Sequence, residues 1–148
     1  INEFNVGIYG SYLMIFNYFE KMSRFKTGSI INIGSDLSVI SPDQKIYKKK
    51  FLNYKKPVSY SVIKHGLVGL TKYFAAEFAS SGINVNMISP APINNPKNLI
   101  KSEIKKIIPS KKLIDVKEIL KILFFLSENN VSNFTGQNVI VDGGRTII

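Results

Sequence analysis

The sequence predicts an α/β protein with an open parallel β-sheet, and three observations support this. Helical segments alternate with short β-branched segments in the order helix, strand, helix, strand, helix, strand. That alternation is typical of parallel strands joined by right-handed helical crossovers. Glycine or proline stands at the ends of the strand segments, where the chain must turn. The 148 residues contain no internal repeat and suffice for one domain.

The first helix and strand are predicted within residues 4–35. Residues 4–25 are rich in apolar and aromatic side chains and contain no proline, which predicts a buried helix. The run GSIINIGS begins at Gly28 and predicts a buried strand that ends at Gly34. A polar, lysine-rich loop is predicted from residue 36 to residue 59.

The second and third helix–strand pairs follow. Residues 60–80 carry apolar side chains at steps of three and four, which predict an amphipathic helix, and Gly82 suits the left-handed position after it. INVNMIS predicts the next strand, stopped by Pro90. After a variable segment to about residue 113, Asp115 and Glu118 resemble a capping box before the helix VKEILKILFFLSE. QNVIVDGG predicts the last strand.

Composition excludes several classes of function. The chain has no cysteine, which excludes disulfides, thiolate zinc sites and cysteine nucleophiles, and the cytoplasm is the predicted compartment. No apolar run reaches the roughly 18 residues that span a bilayer. The net charge of +10 suggests nucleic acid, but 18 of the 20 basic residues are lysine, whereas readout of phosphates and bases favours arginine. We therefore predict neither a membrane nor a nucleic-acid partner.

Three features converge at one edge of the predicted sheet, where ligands of open parallel sheets bind. Ser35 follows the first strand, Tyr60 and Lys64 open the next helix, and Pro90 begins the loop after the second strand. Because a helix advances about 100° per residue, Tyr60 and Lys64 share one face. The set suits carbonyl reduction: a phenol supplies the proton that an alkoxide needs, an ammonium favours the phenolate, and a serine hydroxyl donates to the oxyanion.

Each of these residues also has an ordinary structural explanation. About one Tyr-x-x-x-Lys is expected by chance in a chain of this composition. A serine at a strand end is commonly a turn residue, a tyrosine in a first helical turn commonly packs, and a neighbouring lysine is commonly solvated. His65 is predicted to be a surface or interface residue without a metal. A catalytic role for these residues is therefore supported only if the sequence around them also indicates one.

Those surroundings resemble the C-terminal half of a short-chain dehydrogenase/reductase. GSIINIGS, YSVIK, GINVNMISP and TGQNVIVDGG occur in the family's order and cover most of the chain. The resemblance implies the C-terminal part of a Rossmann-like doubly wound parallel sheet and an NAD or NADP cofactor. It implies that Tyr60 is the general acid/base, that Ser35 polarises the substrate oxygen, and that Lys64 favours the phenolate and holds the nicotinamide ribose. The residues implied to contact the cofactor are Tyr60, Lys64, Pro90 and Ile93, the last through a backbone amide.

The chain also departs from the family pattern. The Gly-rich turn that seats the cofactor pyrophosphate has no counterpart, and the first residue is Ile1 rather than methionine. We therefore expect residues 1–148 to be a partial NAD(P)-binding domain whose N-terminal Gly-rich half is missing, so NAD and NADP are not distinguished. Pro90-Ala91 replaces the family's Pro-Gly, which predicts a rearranged loop. For the family's catalytic asparagine, ungapped counting from Ser35 reaches Gly7, whereas Asn5 lies two residues earlier.

Ser35 and Tyr60 are 25 residues apart, a longer spacing than is common in the family. GSDLSVISPDQKIY and YSVIKHGLVGLTKY resemble a branch that serves bacterial surface-sugar and nonulosonic-acid pathways. Six lysines lie from Lys45 to Lys56, beside the expected mouth of the site, and are interleaved with Tyr47, Phe51 and Tyr54. This loop either attracts an acidic sugar or is simply solvated.

The sequence thus predicts an NAD(P)-dependent oxidoreductase that interconverts a carbonyl and a secondary alcohol on a small, sugar-like substrate. Two alternatives stay open: an inactive remnant or interaction partner, and a basic nucleic-acid-binding module. The first helix is apolar nearly all round, which is more than one sheet face can bury. A homodimer or homotetramer is therefore expected for the full-length protein.

Overall fold

Three parallel strands form the centre of the fold, in the spatial order β1 (Gly28–Ile33), β2 (Ile83–Pro90) and β3 (Asn138–Val141). The structure is a computed structural model that describes residues 2–48, 54–95, 100–128 and 131–148. β2 lies between its two neighbours, and its first seven residues are buried. The predicted α/β class with a parallel sheet is confirmed.

Helices connect the strands much as the sequence predicts. Asp115 opens the last helix by accepting the N–H of Lys117 at 2.9 Å, which confirms the predicted start. A π-helical turn, Asn5–Tyr9, joins the first two helices, and 3-10 turns follow β1 and β3. The helices are α1 (Asn2–Phe4), α2 (Gly10–Phe25), α3 (Lys45–Lys48), α4 (Val58–Phe78), α5 (Lys101–Ile107) and α6 (Val116–Ser127).

Both faces of the sheet are covered, and β2 alternates between them. On one face, α2 and α4 pack on the strands through a cluster of buried side chains. On the other face, Asn86 donates to the carbonyl of Phe134 at 2.7 Å and accepts the N–H of Gln137 at 3.0 Å, so a buried amide in the central strand is satisfied. The buried cluster comprises Ile15, Phe74, Ala75, Phe78, Ile83 and Val85.

Helix α2 differs from the buried helix that its composition predicts. Ile15 is its one buried residue, whereas Met14 and Phe16 are 60% and 59% exposed. A helix packs only one stripe of its surface on a sheet, so apolar residues on the remaining surface stay outside. The prediction of a buried helix is therefore wrong for this chain. Within the described residues, no helix combines the length and apolar character that crossing a bilayer requires.

Two segments predicted as loop or variable chain contain short helices. α3 lies within residues 36–59 and α5 within residues 91–113, and both pack into a second apolar cluster beside the sheet. Helices of four and seven residues show no periodicity in the sequence, and contacts with the rest of the fold hold them. The cluster comprises Ile46, Ile104, Ile108 and Leu113. Lys49, Lys50 and Phe51 of the predicted lysine-rich loop lie outside the described residues.

Replacing Gly82 by alanine is expected to lower the free energy of unfolding by about 2 kcal/mol or more. Gly82 has a φ of 71°, as predicted, and a Cβ built there would lie 2.3 Å from the carbonyl oxygen of Lys26. A left-handed L-residue costs about 1–2 kcal/mol before that backbone contact is relieved. Chemical denaturation measures the change.

Gly69 provides the matched control. It lies inside α4, and a Cβ there would meet nothing within 4 Å. Gly69→Ala should therefore raise stability by about 0.5–1 kcal/mol, because alanine favours a helix. If the two variants changed stability in the same direction, the explanation for Gly82 would be wrong.

Candidate active site

A cavity of about 560 Å³ opens at the carboxyl ends of β1 and β2. Its wall contains Ser35, Tyr60, Pro90 and Ile93, four of the five residues that the sequence places at this edge. The fifth, Lys64, lines a neighbouring cavity of about 460 Å³ on the other side of Tyr60. The separate segments thus converge on one location, where open parallel sheets bind their ligands.

Tyr60 and Lys64 lie on the first two turns of α4. The half-buried ammonium of Lys64 donates to the carbonyl of Ile33, the last residue of β1, at 3.0 Å. It lies 5.8 Å from the centroid of the Tyr60 ring. Burial lowers the pKa of Lys64, and the positive charge of Lys56 lowers it further. The structure thus places the ammonium of Lys64 near the Tyr60 ring and anchors it to the end of the strand.

Lys56 is a second lysine at this phenol. Its Nζ lies 3.6 Å from the centroid of the Tyr60 ring, closer than the Nζ of Lys64. Burial lowers the pKa of Lys56, and the charge of Asp36 partly opposes that effect. No feature of the sequence distinguishes Lys56 from the other five lysines of its loop, because only the path of the chain brings it to Tyr60.

Ser35 is buried and caps the short 3-10 turn Asp36–Ser38. Its Oγ accepts the N–H of Leu37 at 3.2 Å and donates to the Asp36 carboxylate at 3.0 Å. The hydroxyl is therefore held in a fixed position, although its proton points to a carboxylate here.

The turn after Ser35 is fastened to the sheet by a closed triangle of hydrogen bonds. The hydroxyls of Ser38 and Ser89 lie 3.2 Å apart, Ser89 donates to Asn138 at 2.6 Å, and Asn138 donates back to Ser38 at 3.1 Å. These bonds tie the turn to β2 and β3. Burial strengthens such bonds, because no water competes for the donors.

Arg145 and Asp36 form a buried ion pair at the back of the cavity. Arg145 Nη1 lies 2.5 Å from Asp36 Oδ2, and their side chains are only 6% and 1% exposed. The turn after β3 positions Arg145. This turn is held by Asp142, which accepts the N–H groups of Gly144 at 2.9 Å and Thr146 at 2.6 Å. Burial raises the pKa of the Asp142 carboxyl, but a hydrogen bond from the Thr146 side chain, the two backbone bonds and the Arg145 charge outweigh it and hold the pKa below its usual range.

The loop after β2 presents backbone groups to the cavity. Ala91 has no positive φ, and its N–H donates to Val141 at 2.8 Å, so the pairing with β3 continues past Pro90. Further on, the carbonyl of Pro92 and the N–H of Asn94 pair with Ile114. Peptide groups alternate in direction along an extended chain, so the N–H of Ile93 points away from Ile114.

The candidates for a fourth catalytic residue fall in the π-helical turn. Gly7 lines the cavity that contains Lys64, whereas Asn5 is exposed and its carbonyl accepts the N–H of Gly10. His65 is exposed, as predicted, and its Nδ1 lies 2.9 Å from the carbonyl of Ser61. Within the described part of the chain, no cluster of side chains suited to a metal ion occurs.

The sequence matches a family model described as enoyl-(acyl carrier protein) reductase over residues 2–146. The 3-oxoacyl-(acyl-carrier-protein) reductase of Buchnera aphidicola is 36% identical over 145 residues, 95% of this chain and 54% of that protein. An NAD-dependent glycerol dehydrogenase of Listeria innocua is 33% identical over 93% of this chain and 52% of its own length. Post-translational flagellin modification protein A of Campylobacter coli is 31% identical over 86% of this chain and 48% of its own length.

Solved structures agree with the sequence matches. A short-chain dehydrogenase from Leptospira borgpetersenii with bound NAD⁺ superposes with a TM-score of 0.84 at 30% identity, over 97% of this chain and 54% of that one. Similar structures hold NAD in some cases and NADP in others. The chain spans about half the length of the relatives that it matches.

Proposed function

The chain belongs to the short-chain dehydrogenase/reductase family, and we propose that it carries the catalytic side chains of an NAD(P)-dependent oxidoreductase. The reaction interconverts a carbonyl group and a secondary alcohol. The observation that carries the proposal is the meeting of Ser35, after β1, with Tyr60 and Lys64, on α4, at the carboxyl ends of β1 and β2. In this proposal residues 1–148 form part of an NAD(P)-binding domain whose Gly-rich turn lies elsewhere.

The three side chains have distinct tasks in this reaction. The bound nicotinamide supplies or removes the hydride. The hydroxyl of Tyr60 donates a proton to the carbonyl oxygen, or accepts one from the alcohol in the opposite direction. The ammonium of Lys64, tied to Ile33, stabilises negative charge on the phenol oxygen. Ser35 turns its proton from Asp36 to the substrate oxygen, where negative charge develops.

The residues proposed to hold the nicotinamide end of the cofactor fit that group. Lys64 can reach a ribose hydroxyl from its position at the end of β1. The N–H of Ile93 points away from its neighbouring strand and suits the carboxamide oxygen, while Pro90 and Tyr60 shape the adjoining wall. None of these contacts involves the adenosine ribose, so they do not select between NAD and NADP.

We propose a small, sugar-like substrate. Among the relatives, one is named as a glycerol dehydrogenase and another is named for flagellin modification, which agrees with the resemblance of residues 34–47 and 60–73 to a surface-sugar branch. The cavity is also large enough for a small polyol, and Ser35, Lys56 and Tyr60 supply polar groups. Binding of nucleic acid has no comparable support, whereas two of the relatives are named as a reductase and a dehydrogenase.

The direct test is an assay on the product of the open reading frame in which this chain lies. Polyols and sugar acids are offered with NAD⁺ or NADP⁺, and reduction of the cofactor is followed by absorbance. Cofactor-dependent turnover supports the oxidoreductase. Tight binding of neither cofactor, together with no turnover, would favour the inactive remnant.

We further propose that the protein is a homodimer or homotetramer whose subunits meet through α2 and α4. Exposed aromatic side chains in the turn before α2 and in its first two turns form one stacked row: the rings of Tyr9 and Tyr12 lie 6.2 Å apart, and those of Tyr12 and Phe16 lie 5.9 Å apart. Exposed apolar patches of this kind commonly mark contacts between proteins.

Placing charges on this surface is expected to dissociate the assembly. Tyr9→Glu combined with Phe16→Glu should convert the sedimentation coefficient at micromolar concentration from that of an oligomer to that of a monomer, because unpaired like charges are costly to bury at an interface. Ile147→Glu, at another exposed position, is the control. A monomeric parent protein would contradict the proposal.

A further inference from the structure

The backbone of Lys56 is held in place next to the start of α4, and its side chain contacts Tyr60. The amide of Gln44 accepts the N–H of Lys56 at 3.0 Å and donates to its carbonyl at 3.1 Å. Pro57 follows, which fixes the backbone where α4 begins. The two bonds fix the backbone from which the side chain starts, and the ammonium lies 3.6 Å from the centroid of the Tyr60 ring.

The charge of Lys56 is not balanced by a nearby carboxylate. Within the residues that the structure describes, no ion pair includes Lys56, and the acidic group that influences it, Asp36, is already paired with Arg145. Lys64 on the other side of the ring is also cationic and donates to a carbonyl. The cavity wall therefore carries an excess positive charge immediately beside the proposed proton donor.

A half-buried ammonium without an anionic partner is poorly stabilised. Burial lowers the pKa of Lys56, which reports that loss of hydration. An anion in the cavity would restore the lost stabilisation, and the ring of Tyr60 offers only a weaker cation–π contact.

We propose that Lys56 is a specificity-determining residue that binds an anionic group of the substrate, a carboxylate or phosphate close to the reacting carbon. This inference rests on the proposed function, because Tyr60 and Ser35 define where the reacting carbon lies. In this proposal Lys56 makes the site prefer acidic sugars and sugar phosphates to neutral polyols of the same size.

Binding is tested without turnover on the product of the open reading frame, saturated with cofactor. The lysines are reductively methylated with ¹³C-formaldehyde, and the resonance missing from Lys56→Met is assigned to Lys56. D-gluconate and inorganic phosphate should shift this resonance saturably and raise the pKa of Lys56 by about 1 or more, since an anion favours the ammonium. D-glucitol, which has a hydroxymethyl group in place of the carboxylate, should not. Equal responses to gluconate, glucitol and chloride would overturn the proposal.

Catalysis provides the second arm. Lys56→Met should lower the ratio of kcat/KM for acidic over neutral substrates about 10- to 100-fold, mainly through KM, which corresponds to one charged hydrogen bond. Lys55→Met removes an equal charge from the exposed neighbouring position and should leave the ratio unchanged. If Lys56→Met reduced turnover of both substrate classes equally, Lys56 would act on Tyr60, and the anion site would be wrong.

The binding experiment and the kinetic experiment together distinguish failure of the anion site from failure of the proposed function. Saturable anion binding at Lys56, with turnover that is insensitive to Tyr60, would leave the anion site standing and remove the oxidoreductase assignment. Turnover that requires Tyr60, with no response of Lys56 to anions, would support the oxidoreductase assignment and remove the anion site.

Discussion

Replacing Tyr60 by phenylalanine is expected to lower kcat/KM about 10²- to 10⁴-fold. The change removes the hydroxyl that exchanges the proton and keeps the ring, so the wall between the two cavities is preserved. A positioned general acid or base contributes a rate factor of that size. Because the loss concerns the transition state, kcat should fall while KM for the cofactor changes little. Steady-state kinetics on the product of the open reading frame measure both.

Tyr73 supplies the control on the same helix. It is 65% exposed, so Tyr73→Phe removes a phenol hydroxyl at a distance from both cavities and should leave kcat/KM unchanged. The thermal stability of the two variants should also be similar. Turnover of Tyr60→Phe within about tenfold of the parent protein would contradict the role of Tyr60.

The parts of the fold that local patterns encode could be predicted. The order of helices and strands follows from apolar periodicity and from glycine at the ends of β1 and α4. Helix α5 could not be predicted, because a seven-residue helix shows no periodic signal in the sequence. Burial of Ile104 against Ile46 stabilises it. The sequence predicts more apolar surface on α2 than one sheet face can bury, but it does not predict which side chains stay exposed. The apolar residues of α2 surround the helix, and a sequence does not state which of them face the sheet.

The candidate site likewise contains residues that local patterns predict and residues that they do not. Tyr60 and Lys64 are one helical turn apart, and Ser35 ends a recognisable strand, so their convergence follows from the rule for parallel sheets. Lys56 lies in a loop whose path is determined by two bonds to Gln44, and no spacing rule predicts these. Arg145 is 109 residues from Asp36, and their pairing depends on the turn after β3.

Replacing Arg145 by methionine is expected to lower the free energy of unfolding by about 3–5 kcal/mol. The change leaves the Asp36 carboxylate as an uncompensated charge in a site that is almost fully buried, which is the costly way to break an ion pair. Methionine fills much of the volume of the arginine stem, so the effect is mainly electrostatic. Urea denaturation measures the loss.

The other arginine of the chain is a natural control. Arg24 pairs with Glu20 on the surface of α2, where the two side chains are 72% and 76% exposed, so Arg24→Met should cost no more than about 0.5 kcal/mol. Combining Arg145→Met with Asp36→Asn removes both charges and keeps an oxygen that accepts the N–H of Leu37 at the position of Oδ1. The double variant should recover most of the lost stability, because the single variant suffers from the stranded charge rather than from the missing contact. A double variant that is no more stable than Arg145→Met would show instead that packing of the arginine, not its charge, stabilises this edge of the sheet.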